Sequence, residues 1–207
     1  MSKTIKRVTT LFVALAMSVG LCFGLAACGG GGAASEEDQI KAELDKVLSA
    51  LQNPTEESLS AILGDDTSSL DQIKEMGVDP YELLKHLFSK FEYSIDSVVV
   101  NGDTADAQVT MSNVDIQTVL TEAMEDLQSD EAFVSKVTEA YLSDDLTQVY
   151  PLIFDKMYEA IDASDKVVTS TVNFKLAKED GQWNIDDDSM KELVSGMYGG
   201  LDLDSLS

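Results

Sequence analysis

The feature that most restricts the fold is a change of hydrophobic period repeated along the chain. Residues 91–100 and 104–114 repeat with period two about Asn101-Gly102-Asp103. Val168, Ser170, Val172, Phe174 and Leu176 do so again, before Lys178-Glu179-Asp180-Gly181 returns the chain to Trp183 and Ile185. Period two puts successive side chains on opposite faces of a sheet, and Asn-Gly between two such runs is a strong hairpin signal. Ala105, Ala107, Val109 and Met111 alternate with polar residues, which predicts one packed and one solvated face. The stretches before, between and after these hairpins carry the helical period. Helices, a hairpin, more helices and a second hairpin predict an α+β domain, with a curved antiparallel sheet of about four strands packed against several helices.

Start and stop signals divide the helical stretches. Ser35-Glu36-Glu37-Asp38 opens the first, whose apolar stripe is Ile40, Leu44, Val47, Leu48 and Leu51. Asn53-Pro54-Thr55-Glu56 reads as a second start, with Asn53 as N-cap, Pro54 in the first helical position and Glu56 completing a capping box ahead of Leu59, Ile62 and Leu63. Gly64-Asp65-Asp66 ends it, and a weaker helix from Leu70 to Met76 stops at Gly77. Asp79-Pro80-Tyr81-Glu82 repeats the start signal before Leu83, Leu84, Leu87 and Phe88. After the first hairpin, Ile116, Val119, Leu120, Ala123 and Leu127 line one helix, and Asp130 caps another with Phe133, Val137 and Tyr141 inward. A third carries Leu146, Val149, Ile153, Met157 and Ile161, and Pro151 either kinks it or restarts it. A last short helix from about Asp188 carries Leu193, Val194 and Met197.

The N-terminus has a different grammar. Lys3, Lys6 and Arg7 precede an uncharged run from Val8 to Leu25, and then come Ala26, Ala27 and Cys28. This is the three-part layout of a secretory signal. Leu25-Ala26-Ala27-Cys28 resembles the lipobox of bacterial lipoproteins. The resemblance implies that the Cys28 sulfur takes a diacylglyceryl group, with acyl chains such as palmitate. A peptidase recognising Leu25, Ala26 and Ala27 would then cut before Cys28. A thiolate is the side chain nucleophilic enough for such a thioether, and two acyl chains anchor stably where one does not. A plain signal peptide or an uncleaved span fits less well, because a span rarely ends in Ala-Ala-Cys-Gly-Gly. The expected layout is a signal peptide over 1–27, lipidated Cys28 with a Gly/Ala tether over 28–35, one α+β domain over 36–198 and a frayed tail over 199–207. A coil of that tether's composition spans about 13–15 Å. The domain is therefore expected close to the extracytoplasmic face of the cell membrane.

Charge narrows the partners. Losing Lys3, Lys6 and Arg7 with the leader deepens the formal charge from −24 to −27. Nucleic-acid affinity comes from neutralising phosphates, and this field does the reverse. No arginine follows Arg7, so bidentate clamping of phosphate or carboxylate is absent and nucleotide cofactors are not expected. Cationic or cell-wall ligands remain compatible, and the sequence names no protein partner. Cys28 is the one cysteine of the processed chain, so no internal disulfide forms.

The segment from Phe174 to Asp186, Phe-Lys-Leu-Ala-Lys-Glu-Asp-Gly-Gln-Trp-Asn-Ile-Asp, resembles the closing hairpin of small bacterial lipoproteins with the cystatin-like, nuclear transport factor two-like fold. The Val-Asn-Gly-Asp-Thr-Ala hairpin fits the same layout, which extends over most of residues 36–198. The resemblance implies a curved sheet wrapped about a helix, with a cone-shaped cavity that serves ligand binding, catalysis or protein contact in different members. Four strands and extra helices here predict an incomplete cone.

No catalytic constellation stands out. His86, the sole histidine, lies among apolar neighbours on the helix begun by Asp79 and is expected to be a partly covered surface residue; a general base needs a partner and a cleft. One histidine and no free cysteine leave no usual transition-metal set. Asp65-Asp66, Asp144-Asp145, Asp186-Asp187-Asp188, Asp202 and Asp204 lack the glycine and spacing of a calcium loop, and read as helix caps. Trp183 falls at an inward strand position, and no Gly-x-Ser-x-Gly elbow occurs. The sequence therefore points to a non-enzymatic binding or interaction module, with a carboxylate-based hydrolase as the alternative.

Overall fold

The computed structural model describes residues 35–63, 68–143, 149–179 and 181–200. Leu25 to Cys28, Asp65-Asp66, Asp144-Asp145, Leu146 and the tail from residue 201 lie outside the described residues, as do the side chains of Ile62, Leu63 and Tyr141. Four helices come first: α1 (Glu36–Gln52), α2 (Glu56–Leu63), α3 (Ser68–Glu75) and α4 (Pro80–Leu87). Strands β1 (Glu92–Asn101) and β2 (Thr104–Val114) follow, then α5 (Ile116–Ser129), α6 (Glu131–Ser143) and α7 (Tyr150–Ala163). The chain closes with β3 (Val167–Glu179), β4 (Gln182–Ile185) and α8 (Asp187–Met197). The predicted class holds: the domain is α+β, with an open sheet in the order β1-β2-β3-β4 and every neighbouring pair antiparallel. No helix among the described residues is long and apolar enough to cross a membrane.

Capping chemistry sets most helix starts. Ser35 and Asp38 form a reciprocal capping box at α1. Asp79 Oδ1 accepts from the Tyr81 and Glu82 amides at 2.8 and 3.4 Å, with Pro80 in the first turn of α4. Asp130 Oδ1 accepts from Ala132 and Phe133 at the start of α6. The expected cap at Asn53 is corrected. The Asn53 amide still donates to Ser49, so this residue ends α1 instead of starting α2. Thr55 is the cap: its hydroxyl accepts from the Ser58 amide at 3.0 Å, and the Ser58 hydroxyl accepts from the Thr55 amide at 2.9 Å. Pro151 restarts the chain in the first turn of α7, where its missing N–H costs nothing.

The packed side of the sheet carries Val98, Ala105, Ala107, Val109, Met111, Val172, Phe174, Leu176 and Trp183, each no more than 6 % exposed. Burying each of the larger side chains contributes roughly 1.5–3 kcal/mol. Helices α1 and α8 lie on this side, and α5, α7 and α4 stack beyond. Helix α8 comes close enough that a Cβ on Gly196 would lie 2.7 Å from Met111 Cε. A bulge between Ile95 and Ser97 leaves Asp96 unpaired; such a bulge adds local twist and bends the strand. Tyr93 and Ile95 point inward before the bulge, and Val98 and Val100 after it.

Candidate functional site

Two surfaces have the geometry of a site. The first is a groove of about 590 Å³ between the first half of α5, Val168 of β3 and the end of α8. Asp115, Glu122 and Glu125 supply its carboxylates, and Gln117, Thr118 and Thr121 its neutral polar groups. Local needs claim two of these acids. Asp115 caps α5, its Oδ1 accepting from the Thr118 amide at 2.9 Å and its Oδ2 from the Thr118 hydroxyl at 2.7 Å. Glu122 accepts from Lys166 Nζ at 2.6 Å. Gly199 and Gly200 form the far wall. A Cβ on Gly199 would sit 2.1 Å from the Val114 carbonyl, and its φ of +67° is one that glycine alone adopts easily. No aromatic ring lines the groove among the described residues.

The second is the outer face of the sheet, which no described helix covers. Register lines up Ser94, Thr110 and Thr171 in one row across β1, β2 and β3, and Ser97, Gln108 and Asn173 in the next. Asp96, pushed out by the bulge, accepts from the Ser94 hydroxyl at 2.7 Å and from the Thr110 hydroxyl at 2.6 Å. These two donors hold its carboxyl below the usual carboxylate range, Thr110 contributing most. Thr110 and Thr171 are 3.0 Å apart, and Gln108 Nε2 donates to Asn173 Oδ1 at 2.7 Å. Every residue of both rows is exposed or half-buried. The packed face of the same strands is apolar, so strand alternation alone builds this polar array.

His86 has the partner a general base needs, in a bracket between helices. Its Nδ1 lies 2.9 Å from Asp162 Oδ1, and its ring stacks on Tyr158 with centroids 4.2 Å apart. The side chain is 27 % exposed, the partial cover expected of it. Lys90 Nζ donates to the carbonyls of Ile161, Asp162 and Ser164, neutralising the C-terminal end of α7. The Tyr158 hydroxyl is buried without a hydrogen-bond partner among the described residues. Burial, and then the charges of Asp155, Asp79 and Glu82, raise its pKa. The cluster joins α4 to α7.

Other sequence candidates resolve into structure. Trp183 is 1 % exposed and packs in the core, with Lys178 Nζ 5.5 Å above its ring. Lys178 also pairs with Glu36, which ties the start of α1 to the helical side of the sheet. Asp186 caps α8 through the Ser189 amide and hydroxyl, at 2.9 and 2.8 Å. The outer-face network escaped sequence reasoning because it depends on register between strands some 60 residues apart in the chain. Its one sequence trace was a run of small polar residues on the solvated alternation. No protein-family model matches the chain, and neither does any curated protein or solved structure.

Proposed function

We propose that the protein is a lipoprotein held at the extracytoplasmic face of the cell membrane through Cys28, and that its domain is a binding or interaction module working through the outer face of the sheet. The observation that carries the module reading is one-sided packing. Helices fill one face of the sheet, and the other is left to solvent with its side chains already tied into fixed directions. Glu36 meets the sheet on the helical side, so the tether's root and the open face lie on opposite sides. The anchor itself is supported by the leader sequence. The groove beside α5 favours the hydrolase alternative to the extent that it gathers three carboxylates. The commitment of Asp115 to a helix cap and of Glu122 to a lysine, with no aromatic platform beside them among the described residues, weighs against it.

Two measurements test the proposal. Cells grown with labelled palmitate should yield labelled protein, and Cys28→Ser should yield unlabelled protein in the medium; a labelled Cys28→Ser protein would overturn the anchor. Lipidation would consume Cys28, so Thr171→Cys would carry the one free thiol of the processed chain. Its maleimide labelling should be slower on intact cells than on the detergent-solubilised chain, whereas Glu139→Cys on α6 should label equally in both. Equal rates at Thr171→Cys would overturn the module reading of that face.

A further inference from the structure

We infer that the outer face of the sheet binds a neutral glycan, through the amide pair Gln108–Asn173 and the hydroxyl chain Thr171–Thr110–Asp96. This rests on the module reading and adds the class of ligand. The direction of the hydroxyl chain follows from its end. The Asp96 carboxylate can only accept, so the single hydroxyl hydrogen of Thr110 is spent on it at 2.6 Å. Thr171 must then donate to Thr110 across their 3.0 Å contact, which leaves the Thr171 oxygen facing solvent as an oriented acceptor. The amide pair is just as determined. One hydrogen bond between two carboxamides leaves one NH₂ and one carbonyl open, whichever way the pair is turned.

The face thus offers donors and acceptors side by side, spaced about 4.8 Å across strands and about 6.8 Å along them. A ligand matching this must itself carry groups that both donate and accept at close intervals. Sugar hydroxyls do. Charge selects among the polymers that bear them. Anionic chains are repelled by a chain whose residues 28–207 carry a formal charge of −27. Cations meet more carboxylates at the groove, where Asp115, Glu122 and Glu125 gather, than in these rows. The rows Ser94–Thr110–Thr171 and Ser97–Gln108–Asn173 hold no ionised group, although Asp and Glu are the largest class among the exposed described residues. Solvation alone would have been served by more carboxylates there. Because the side chains are already ordered, little rotamer entropy is lost on binding. With no aromatic ring to stack on, one site binds weakly, and a membrane crowded with anchored copies supplies the avidity.

The test uses the full chain in mild detergent, with saturation-transfer difference NMR against cellohexaose, maltohexaose and a β-1,4-linked N-acetylglucosamine hexamer. At least one probe should receive saturation. The isosteric double variant Gln108→Glu/Asn173→Asp should lose it by about tenfold while keeping the far-UV circular dichroism of the folded chain, and Asp96→Asn should weaken it by about two- to fivefold by releasing the hydroxyl chain. Thr171→Val is the substitute if the double variant fails to fold, with the same loss expected. Absence of transfer to all three probes, or transfer undiminished in these variants, overturns the inference. If no probe binds and Thr171→Cys stays protected on intact cells, a protein partner covers the face and only the glycan is wrong. If the thiol is also freely labelled, the module reading falls with it.

Discussion

Asn113 occupies a position where the alternation of β2 calls for an apolar side chain, and it is fully buried. Its amide satisfies three backbone groups at once. Nδ2 donates to the carbonyls of Leu87 and Met197 at 3.0 and 2.9 Å, and Oδ1 accepts from the Val114 amide at 2.8 Å. Leu87 and Met197 are the last residues of α4 and α8, where helices leave carbonyls without intrahelical partners. One side chain therefore fastens two helix ends to the sheet. Asn113→Ala should cost about 3 kcal/mol, because buried groups left unpaired carry most of the penalty. Urea unfolding measures it; a loss under about 1 kcal/mol would show that these bonds contribute little. Strand parity made the inward direction of residue 113 legible in the sequence. The two carbonyls it would meet were not, since they belong to helices 26 and 84 residues away.

Helix α8 shows what local chemistry can and cannot announce. Its cap at Asp186 follows from a short acceptor side chain placed before a polar turn, as do the caps at Ser35, Asp79 and Asp130. Asn53 misled because two start signals overlap: Asn53-Pro54 offers a cap, but the amide of Asn53 is already drawn into the end of α1, and the hydroxyls of Thr55 and Ser58 close the box one step later. Asp186 also reaches beyond its helix, since the Ser189 hydroxyl it holds accepts from the Lys175 amide of β3 at 3.1 Å. The Ser189 amide lowers the Asp186 pKa; burial opposes it by less, and the Ser189 hydroxyl adds a further, smaller lowering. A carboxyl lowered on folding stabilises fully above its unfolded value, near 3.9, and loses that contribution as pH falls through the folded value. Asp186→Ala should thus cost about 1 kcal/mol at pH 7. Thermal midpoints of the two proteins should converge below about pH 4. A gap as wide at pH 2.5 as at pH 7 would mean that the charge on Asp186 has no part in the cap.

For the whole molecule the sheet was legible and the hydrogen-bonded array on its outer face was not, because alternation is local while the outer-face rows exist only once β1, β2 and β3 are in register. Net charge is the property that the sequence states outright and the fold must tolerate. The described ion pairs are mostly between neighbours on one helix, such as Lys85 with Glu82 and Lys156 with Glu159, and exposed pairs of this kind contribute little. They leave the excess of acids unbalanced, and a formal charge of −27 over residues 28–207 opposes compaction. Salt acts on both contributions with opposite signs. It weakens a few exposed pairs and relieves repulsion summed over the whole surface, and the second effect should dominate because it scales with the square of the net charge. Screening shortens from about 30 Å at 0.01 M to about 10 Å at 0.1 M, which brings it from the size of the domain to the spacing of neighbouring side chains. The thermal midpoint should therefore rise by several degrees between 0.01 and 0.3 M sodium chloride, since 1 kcal/mol corresponds to about 2–4 °C at this size. Potassium chloride should give the same rise, because screening does not distinguish the ions. Calcium at equal ionic strength separates the mechanisms. A midpoint that climbs at micromolar calcium would reveal a specific site among the acids, and a midpoint that falls with sodium chloride would show that the ion pairs outweigh the repulsion.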